Sequence, residues 1–317
     1  MTVQAAAGAM LSNRPRRAVV FAYHNVGVRC IQVLLAGGVD IALVVTHEDN
    51  ADEAIWFESV AALCREQGIA YVTPQDAKGL DLLAQVNAAQ PDFLFSFYYR
   101  HMLPAALLAV APAYNMHGSL LPQFRGRAPV NWALLAGATA SGATLHEMTV
   151  KPDAGAIIAQ SAVPILPDDT AFTVFGKVAV AAEQALWLVL PALLAGNAPR
   201  QHNDLTQGGY FGGRTPEDGR IDWRQPAQAV YNLHRAVAPP YPGAFTDIDG
   251  VRYVIERARL CQHAAPGLPL GLTVVDNCIF GVCGDGRMLT ILALLGDGVA
   301  ITAEQLTGRI QQIQNDA

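Results

Sequence analysis

The sequence predicts an α/β protein in which a doubly wound, mostly parallel sheet is followed by a smaller β-rich domain. From about residue 17 to residue 200, short apolar runs alternate with longer stretches that carry apolar residues at helical spacing. This alternation is typical of βαβ units, whose strands are buried on both faces. After about residue 202 the pattern changes to a glycine-rich loop, one helix and several short strands. A chain of 317 residues is long enough for both domains.

The first part of the chain alternates strand and helix. Each expected strand is a short apolar run, and they fall at 17–23, 41–46, 70–72 and 92–98. The expected helices between them are 24–36, 51–67 and 80–89. The first turn, His24-Asn25-Val26-Gly27, lacks the G-x-G-x-x-G fingerprint, and no Walker motif occurs anywhere. Nicotinamide and triphosphate binding are therefore disfavoured.

The rest of the chain continues the sheet and then leaves it. The expected helices are 129–136, 171–195 and 226–237, and the expected strands are 144–150 and 157–165. A loop is expected at 208–218, and a hairpin turn around Gly284 and Gly286. We expect a main domain at 16–202, a β-rich domain at 203–317, and a disordered tail at 1–15.

Composition excludes several classes of protein. Hydrophobic residues make up 52% of the chain and charged residues 15%, so a large core is available and a disordered chain is not expected. The net charge of −6 gives no footprint for nucleic acid. Five scattered cysteines argue against a disulfide framework, and their spacing fits no zinc pattern. Arginines follow the apolar run at 5–11 rather than precede it, so we expect neither a signal peptide nor a membrane anchor, and a cytoplasmic location.

Polar residues that serve catalysis are concentrated between residues 115 and 153. Asn115 and His117 lie two apart on a predicted strand, so their side chains face the same side. Asp153 follows a helix and another apolar strand. Because ligands of such sheets bind at the carboxyl ends of the strands, an amide, an imidazole and a carboxylate there indicate an acyl-transfer site.

Three other polar residues compete for a role in this site. His146 lies inside an apolar strand, and we interpret it as structural. His24 ends the first strand and is expected to line the pocket. Ser119 lacks the G-x-S-x-G elbow of a serine hydrolase, so its hydroxyl is expected to fix the loop that contains it. Taken singly, Asn115 and Asp153 are also typical turn residues.

The whole signature resembles that of a known family. N-x-H-x-S-L-L-P, then R-G, then D-A-G resembles the formyltetrahydrofolate-dependent formyltransferases. R-G-R-A-P-x-N-W-A-L, T-L-H-x-M and F-G-x-R-T-P-x-D are similar to the formyltransferase domain that acts on UDP-4-amino-4-deoxy-L-arabinose, in the pathway that modifies lipid A and gives polymyxin resistance. The resemblance runs from about residue 19 to residue 298. It implies a Rossmann-like formyltransferase domain at 16–202 and a barrel-like domain at 203–317.

The resemblance also implies roles for particular residues. Asn115, His117 and Asp153 match the catalytic positions, and no metal is implied. Positions that match the contacts of the co-substrate, 10-formyltetrahydrofolate, are His101, Met102, Leu103, Arg127, Thr149, Val150, Lys151, Pro152 and Asp153. Tyr98 and Arg214 are expected on the nucleotide-sugar side, where a forked guanidinium suits a diphosphate. The chain departs from the family at Gly213, because the family often has paired arginines there.

Formyl transfer needs a neutral amine, a group that stabilises the oxyanion, and a route for the amine proton. We expect the Asn115 amide to donate to the oxyanion. His117 is expected to stabilise the same oxygen or to relay the proton. Asp153 is expected to raise the pKa of His117 by charge proximity and to orient its ring.

Three functions compete at this point. The leading one is transfer of a formyl group to the 4-amino group of a UDP-linked amino sugar. The second, methionyl-tRNA formyltransferase, is disfavoured because residues 203–317 hold nine arginines, no lysine and twelve acidic residues, a net charge of 9 − 12 = −3. The third is a non-catalytic folate- or nucleotide-binding module. The exact sugar, the oligomeric state and a separate dehydrogenase/decarboxylase partner stay open.

Overall fold

The computed structural model describes residues 14–50, 55–264 and 267–316. The strands of the first part are β1 (Arg17–Ala22), β2 (Asp40–Val45), β3 (Tyr71–Val72), β4 (Phe93–Phe97), β5 (Ala113–His117), β6 (Arg125–Gly126), β7 (Ala140–Glu147), β8 (Ile157–Pro164) and β9 (Tyr210–Phe211). Seven of them form one sheet in the order β3-β2-β1-β4-β5-β7-β8. The first five run parallel, whereas β7 pairs antiparallel with both β5 and β8. The predicted doubly wound, mostly parallel sheet is confirmed.

Helices cover this sheet on both faces. They are α1 (His24–Ala36), α2 (Val60–Gln67), α3 (Leu80–Ala88), α4 (Ala105–Leu108), α5 (Pro129–Leu135) and α6 (Ala171–Leu194), followed later by α7 (Ala227–Val237) and α8 (Ala303–Asp316). In β1, Val20 belongs to the core beneath α1 and α6, whereas Val19 and Phe21 belong to a second core beneath α3 and α4. Alternate residues of one strand thus feed two cores, which explains why β1 is apolar throughout.

Helix α6 is long and apolar enough to cross a membrane by length and composition, the one such helix in the described part of the chain. One of its faces is buried against β7, β8 and α1, and Val178, Ala182 and Leu186 on that face are fully buried. It is therefore packed as a core helix of the first domain.

The second sheet is antiparallel and curled into a half-barrel. Its strands are β10 (Ala244–Ile248), β11 (Val251–Ala264), β12 (Gly271–Val275), β13 (Cys278–Val282), β14 (Arg287–Gly296) and β15 (Val299–Ala300). They are ordered β10-β11-β14-β13-β12, with β15 on the far end of β14. The predicted β-rich part is confirmed as this half-barrel, and Gly284 and Gly286 lie in the predicted turn between β13 and β14.

Two predicted boundaries change in the structure, and one further helix is present. Of the predicted helix 51–67, residues 51–54 lie outside the described part, and the helix itself begins at Val60 because the Ser59 side chain accepts from the Ala62 N–H. The predicted strand 144–150 is β7 and ends at Glu147, where the chain leaves the sheet. Helix α8 was not predicted, although Thr302 and Gln305 cap each other reciprocally before it.

Most of the predicted N-terminal tail, residues 1–13, lies outside the described residues. Arg14, however, donates to Asp92 at 3.2 Å, so this end of the predicted tail already contacts the sheet. The predicted loop at 208–218 contains β9 and a 3₁₀ turn at Pro216–Gly219.

Helix α7 joins the two sheets. It packs on α5, α6 and β11, and the buried Asn131 amide donates to the Ala236 carbonyl at 2.7 Å. Arg235, also buried, donates to the Asn232 side-chain oxygen at 2.6 Å and to the carbonyls of Leu166 and Asp169. The half-barrel is thereby held at a fixed place relative to the first sheet.

His234 of α7 makes stability depend on pH. Its ring is buried and its Nε2 accepts from the Ala258 N–H at 3.2 Å, and burial lowers its pKa from 6.5 to about 4. The unfolded chain therefore binds a proton below pH 6.5 that the folded chain refuses. Stability is expected to fall between pH 6.5 and pH 4 by about 3 kcal/mol from this group, at about 1.4 kcal/mol per pKa unit.

Urea unfolding of the wild type and of His234→Gln at pH 7 and pH 4.5 measures this contribution. Gln keeps a side-chain acceptor but cannot titrate, so the pH-dependent loss is expected to shrink in the variant. An equal loss in both proteins would contradict the assignment.

Candidate active site

Asn115 and His146 are cross-strand partners at the centre of the candidate site. Strands β5 and β7 place them directly opposite each other, and Asn115 Nδ2 lies 3.1 Å from His146 Nε2. Ser96 is the neighbour of Asn115 on β4 and lines the same cavity. Neighbouring residues in register put their side chains on one face, so a polar row crosses three strands.

His117 lies one pleat further along β5, opposite Thr144. The Thr144 hydroxyl donates to the Ser119 carbonyl at 2.6 Å and accepts from the Leu121 N–H at 3.1 Å. Ser119 itself donates to the Gln123 carbonyl at 2.5 Å, so its hydroxyl fixes the loop, as predicted. These buried contacts hold the chain as it turns away from His117.

Asp153 reaches the same place from the loop after β7. Its Oδ1 lies 3.6 Å from His117 Nδ1 and 3.5 Å from His146 Nε2. Its Oδ2 accepts from the Gly126 backbone N–H at 2.8 Å. The structure thus brings Asn115, His117 and Asp153 together, and His146 joins them.

Two glycines make the approach of these loops feasible. Gly126 has φ +97°, and a Cβ there would lie 2.2 Å from the Phe211 carbonyl oxygen, because β6 pairs with β9. A Cβ at Gly155 would lie 2.0 Å from the Glu147 carbonyl oxygen. Any larger residue would push the Gly126 N–H or the Asp153 loop away from the site.

The position of the His117 proton follows from its neighbours. His117 Nε2 lies 2.9 Å from the Phe124 carbonyl, which can only accept, so Nε2 carries a proton. In the neutral ring, Nδ1 then carries a lone pair that faces Asp153. At 3.6 Å this contact is an ion-pair distance rather than a hydrogen bond.

Asp153 raises the pKa of His117, as expected, but the net shift has the opposite direction. Burial of the ring lowers the pKa below its ordinary value of 6.5, and this effect exceeds the opposing effects of Asp153 and the Phe124 hydrogen bond. Desolvation of a fully enclosed imidazole disfavours its cation, and a carboxylate beyond hydrogen-bond distance does not offset that cost. His117 is therefore neutral at pH 7.

Asp153 is ionised. Burial opposes its ionisation, but the contacts with the His146 and His117 rings and the Gly126 N–H, which donates to Oδ2, together hold its pKa at about 2. The carboxylate is thus available to pair with a proton that either ring takes up.

The ring of His146, which the sequence led us to interpret as structural, lies at the site and lines the same cavity. Its Nδ1 lies 2.7 Å from the Glu147 carbonyl and must donate to it, which leaves Nε2 of the neutral ring as an acceptor for Asn115. This contact fixes the Asn115 amide with its nitrogen toward His146. The second N–H of that nitrogen is left for a ligand.

A cavity of about 390 Å³ opens beside these groups. Beside Asn115 and His117, its lining includes Tyr98, which was predicted on the nucleotide-sugar side, and seven of the predicted co-substrate positions, namely His101, Met102, Leu103, Arg127, Thr149, Pro152 and Asp153. Val150 and Lys151 are exposed and do not line it. Thr149 donates to the Lys151 carbonyl at 2.7 Å, which shapes the loop between them.

A second, larger cavity of about 520 Å³ adjoins the first, and Tyr98 and Arg127 line both. Its other lining residues include His24, Trp56, Phe57, Asn131, Arg214 and Tyr241. The His24 ring stacks on Phe57 at 3.8 Å, so His24 lines a pocket as predicted. Trp56 and Phe57 were missed because the helix that was predicted there would have placed them on a surface.

Arg214 carries an unused donor in the larger cavity. Its guanidinium lies 5.0 Å over the Trp132 ring and its Nη2 donates to the Asp218 carbonyl at 2.9 Å. Its buried Nε has no hydrogen-bond partner among the described residues, and burial lowers its pKa. The buried hydroxyl of Tyr98 is likewise without a partner in that part of the chain. Buried polar groups of this kind indicate a bound polar ligand.

No group of three or more His, Cys, Asp or Glu side chains within residues 14–50, 55–264 and 267–316 is arranged to hold a metal ion. The five free cysteines lie apart from the site, with Cys30, Cys64 and Cys283 buried. The chemistry of the site is therefore described through its amide, imidazole and carboxylate groups.

A doubly wound sheet whose carboxyl ends hold an amide, two imidazoles and a carboxylate, beside two adjoining cavities, is the arrangement of a group-transfer enzyme. The chain belongs to the formyl transferase family. The family described as "Formyl transferase" matches residues 17–190, and its companion "Formyl transferase, C-terminal domain" matches residues 214–314.

Solved structures share the fold. The sugar 3N-formyl transferase WlaRD, determined in the presence of dTDP and 5-N-formyl-THF, has a TM-score of 0.69 at 17% identity, covering 87% of this chain and 97% of that one. The N-formyltransferase from Helicobacter canadensis, in complex with folinic acid and dTDP-3-aminofucose, has 0.67 at 16%, with 88% and 99% covered. A sugar N-formyltransferase from a Shewanella species has 0.62 at 19%, with 76% and 97% covered.

Replacing Gly126 by alanine is expected to destabilise the protein. At φ +97° and with a Cβ 2.2 Å from a carbonyl, Gly126→Ala should lower the free energy of unfolding by about 2 kcal/mol, within the range measured for strained backbone positions. Gly176→Ala in α6 is the matched control. Its Cβ meets nothing within 4 Å, so the alanine should add about 0.5–1 kcal/mol by helix propensity.

Chemical denaturation of both variants measures the difference. Opposite signs at the two glycines are expected, and a neutral Gly126→Ala would contradict the tight pairing of β6 with β9.

Proposed function

We propose that the protein transfers the formyl group of 10-formyltetrahydrofolate to the 4-amino group of a UDP-linked amino sugar, UDP-4-amino-4-deoxy-L-arabinose in the first instance. The observation that carries the proposal is that two cavities adjoin at Tyr98 and Arg127, and that Asn115, His117 and Asp153 line the smaller of them. One cavity can hold a formyl donor and the other a nucleotide-linked amine, so that the reacting atoms meet beside the catalytic groups.

The smaller cavity supports the formyl donor. Met102, Leu103 and Met148 are apolar residues of its lining, and residues 101–103 form a continuous stretch of that lining. A flat pteridine ring with a polar edge fits such a lining. The two solved relatives with folate-type ligands, formyl-THF and folinic acid, support the same co-substrate.

The larger cavity supports a nucleotide sugar. Arg127 and Arg214 border it, and the unused Nε donor of Arg214 suits a diphosphate oxygen. Trp56, Phe57 and Tyr241 offer aromatic faces for a base or a sugar. The ligands in the solved relatives are dTDP or a dTDP-linked sugar, so the nucleoside and the sugar are the parts of the proposal that most need a test.

Asn115, His117 and Asp153 have different roles in the reaction. The amine nitrogen attacks the formyl carbon, a C–N bond forms, and the formyl oxygen becomes negative. The free N–H of Asn115 donates to that oxygen. The tetrahedral intermediate then collapses, the bond from carbon to N10 breaks, and N10 takes up the proton that the amine has released through His117.

The amine proton leaves toward a point where acceptors converge. His117 Nδ1 and His146 Nε2 both face Asp153 Oδ1, and the neutral His117 ring presents a lone pair there. A proton taken by His117 creates an imidazolium that pairs with the Asp153 carboxylate. The carboxylate thus stabilises the charge that the reaction produces.

The chain is expected to act in the cytoplasm on small nucleotide-linked amines. A tRNA acceptor remains disfavoured by the acidic balance of residues 203–317. The third candidate, a binding module without catalysis, leaves the buried ionised Asp153 without a purpose.

Turnover with a panel of acceptors tests the proposal. Release of tetrahydrofolate would be followed with UDP-4-amino-4-deoxy-L-arabinose, with dTDP-linked 3- and 4-amino sugars, and with charged initiator tRNA. Turnover with the UDP sugar alone is expected. Preference for a dTDP sugar would correct the nucleoside, and turnover only with tRNA would overturn the proposal.

Removing a catalytic group is expected to lower the rate far more than binding. Asn115→Ala removes one oxyanion donor, which typically lowers kcat by about 10²–10³. His117→Ala and Asp153→Ala remove the proton acceptor and its counter-charge, and each should lower kcat by about 10²–10⁴. Steady-state kinetics would be measured with both substrates varied.

The matched control for these variants is Glu304→Ala, which removes an exposed carboxylate of α8 that lines neither cavity and should leave kcat unchanged. Wild-type rates in both His117→Ala and Asp153→Ala would eliminate the catalytic roles.

The acid limb of the pH profile is expected below pH 6.5. Only neutral His117 can take the proton, and burial lowers its pKa, so kcat should persist down to a pH below 6.5 and then fall. In Asp153→Asn the carboxylate no longer raises this pKa, so the limb should move to still lower pH while the plateau drops. An acid limb that moves upward in Asp153→Asn would contradict this account.

A further inference from the structure

The segment of residues 201–213, here called the strap, begins beside β8 and ends at the larger cavity, which Gly213 lines. Gln201 exchanges backbone hydrogen bonds with Ile157 at 2.8 and 2.9 Å, which anchors its beginning. Tyr210 and Phe211 pair with β6, which anchors its end. Between these two anchors the strap runs alongside the loop that carries Asp153.

Asn203 is the contact between the strap and that loop. Its side chain is 4% exposed, and its Nδ2 donates to the carbonyl of Asp153 at 2.9 Å and to the carbonyl of Gly155 at 3.2 Å. Both N–H groups of the amide are therefore used on the backbone of the catalytic loop. Within the described part of the chain, Asn203 lines neither of the two cavities.

The loop needs such support. Asp153 has φ +51°, in the left-handed region that non-glycine residues adopt at a cost of about 1–3 kcal/mol. The Gly126 N–H holds the carboxylate, but a side-chain contact alone does not fix the peptide planes on either side. Asn203 binds the two carbonyls that flank the turn, so it favours this backbone conformation over an extended one.

A second buried side chain holds the strap from the other side. Arg125 is 8% exposed, and its Nη2 donates to the carbonyls of Leu205 and Gln207 at 3.2 and 3.4 Å. Its Nη2 is thus used on the strap, and Arg125 lines neither of the two cavities. Arg125 and Asn203 together tie the strap to both loops that meet at Asp153.

We propose that Asn203 is a positioning residue, which sets the Asp153 carboxylate against His117 and His146 by clamping the backbone of residues 153–155. This inference rests on the proposed function, because it requires that Asp153 contribute to formyl transfer. It predicts that Asn203 contributes to the rate only when Asp153 is present.

A double-mutant cycle tests this dependence. Asn203→Ala in the wild-type background is expected to lower kcat by about tenfold or more, since a small displacement of a catalytic group is costly. In the Asp153→Ala background the same change is expected to alter kcat by less than twofold. Coupling of this kind is the signature of action through one partner.

Two further variants separate positioning from folding. Asn203→Asp keeps the shape but loses both N–H donors, and at pH 8 it should lose rate like Asn203→Ala. Asn232→Ala is the matched control, because it removes another buried asparagine, whose partners Gln228 and Arg235 lie far along the chain from Asp153. It should lower the melting temperature, with the same small effect on kcat in both backgrounds.

Titration of the histidine rings by NMR gives a readout that does not depend on turnover. In Asn203→Ala the carboxylate is displaced, so the pKa of His117 should fall, in the same direction as in Asp153→Ala. The double variant should match Asp153→Ala alone.

The outcomes distinguish the inference from the function on which it rests. A wild-type rate in Asp153→Ala would overturn the proposed function. If Asp153→Ala is impaired while Asn203→Ala is not, or if Asn203→Ala loses the same factor in both backgrounds, the positioning role alone is overturned. An unchanged rate in Asn203→Asp would also overturn it, since the donors would then be dispensable.

Discussion

The site depends on one buried carboxylate. Asp153 Oδ2 accepts the Gly126 N–H while Oδ1 faces His117 and His146, so a single side chain joins three parts of the chain. An ionised carboxylate that is nearly excluded from water must be paired or hydrogen-bonded. The positions of Gly126, His117 and His146 are therefore fixed by their contacts with Asp153, and the loops around the site must keep those contacts.

The sheet also fixes the geometry of the site, because it orients Asn115. Its direction changes between β5 and β7, and this antiparallel pair sets Asn115 opposite His146. The change of direction therefore orients the amide that serves the oxyanion, while the parallel strands beside it open the cavities at their carboxyl ends.

Some of this arrangement is predictable from the sequence. Alternating apolar runs and helical patterns indicate the doubly wound sheet, because strands that are buried on both faces are apolar along their whole length. The two-residue spacing of Asn115 and His117 places them on one side of a strand. His146, in contrast, sits among apolar residues that resemble a core strand, and no local pattern shows which strand lies beside it. Register across a sheet is a property of the assembled fold.

Other parts leave no periodic signal at all. Trp56 and Phe57 line a cavity because the chain before α2 is irregular, whereas apolar residues there also fit a helix. Asn203 acts through side-chain bonds to backbone carbonyls that lie 50 residues earlier in the chain. The lowered pKa of His117 was missed for a related reason, because the sequence shows a neighbouring charge but not the extent of burial.

The most direct test of this account is the protonation state of the His117 ring, measured by ¹⁵N NMR of histidine-labelled protein at pH 7. The account predicts a neutral ring with the proton on Nε2 and a lone pair on Nδ1 toward Asp153. A proton on Nδ1 of a neutral ring, or a permanent imidazolium at pH 7, would contradict it. In either state His117 would have no lone pair facing Asp153 that could accept the proton of the attacking amine.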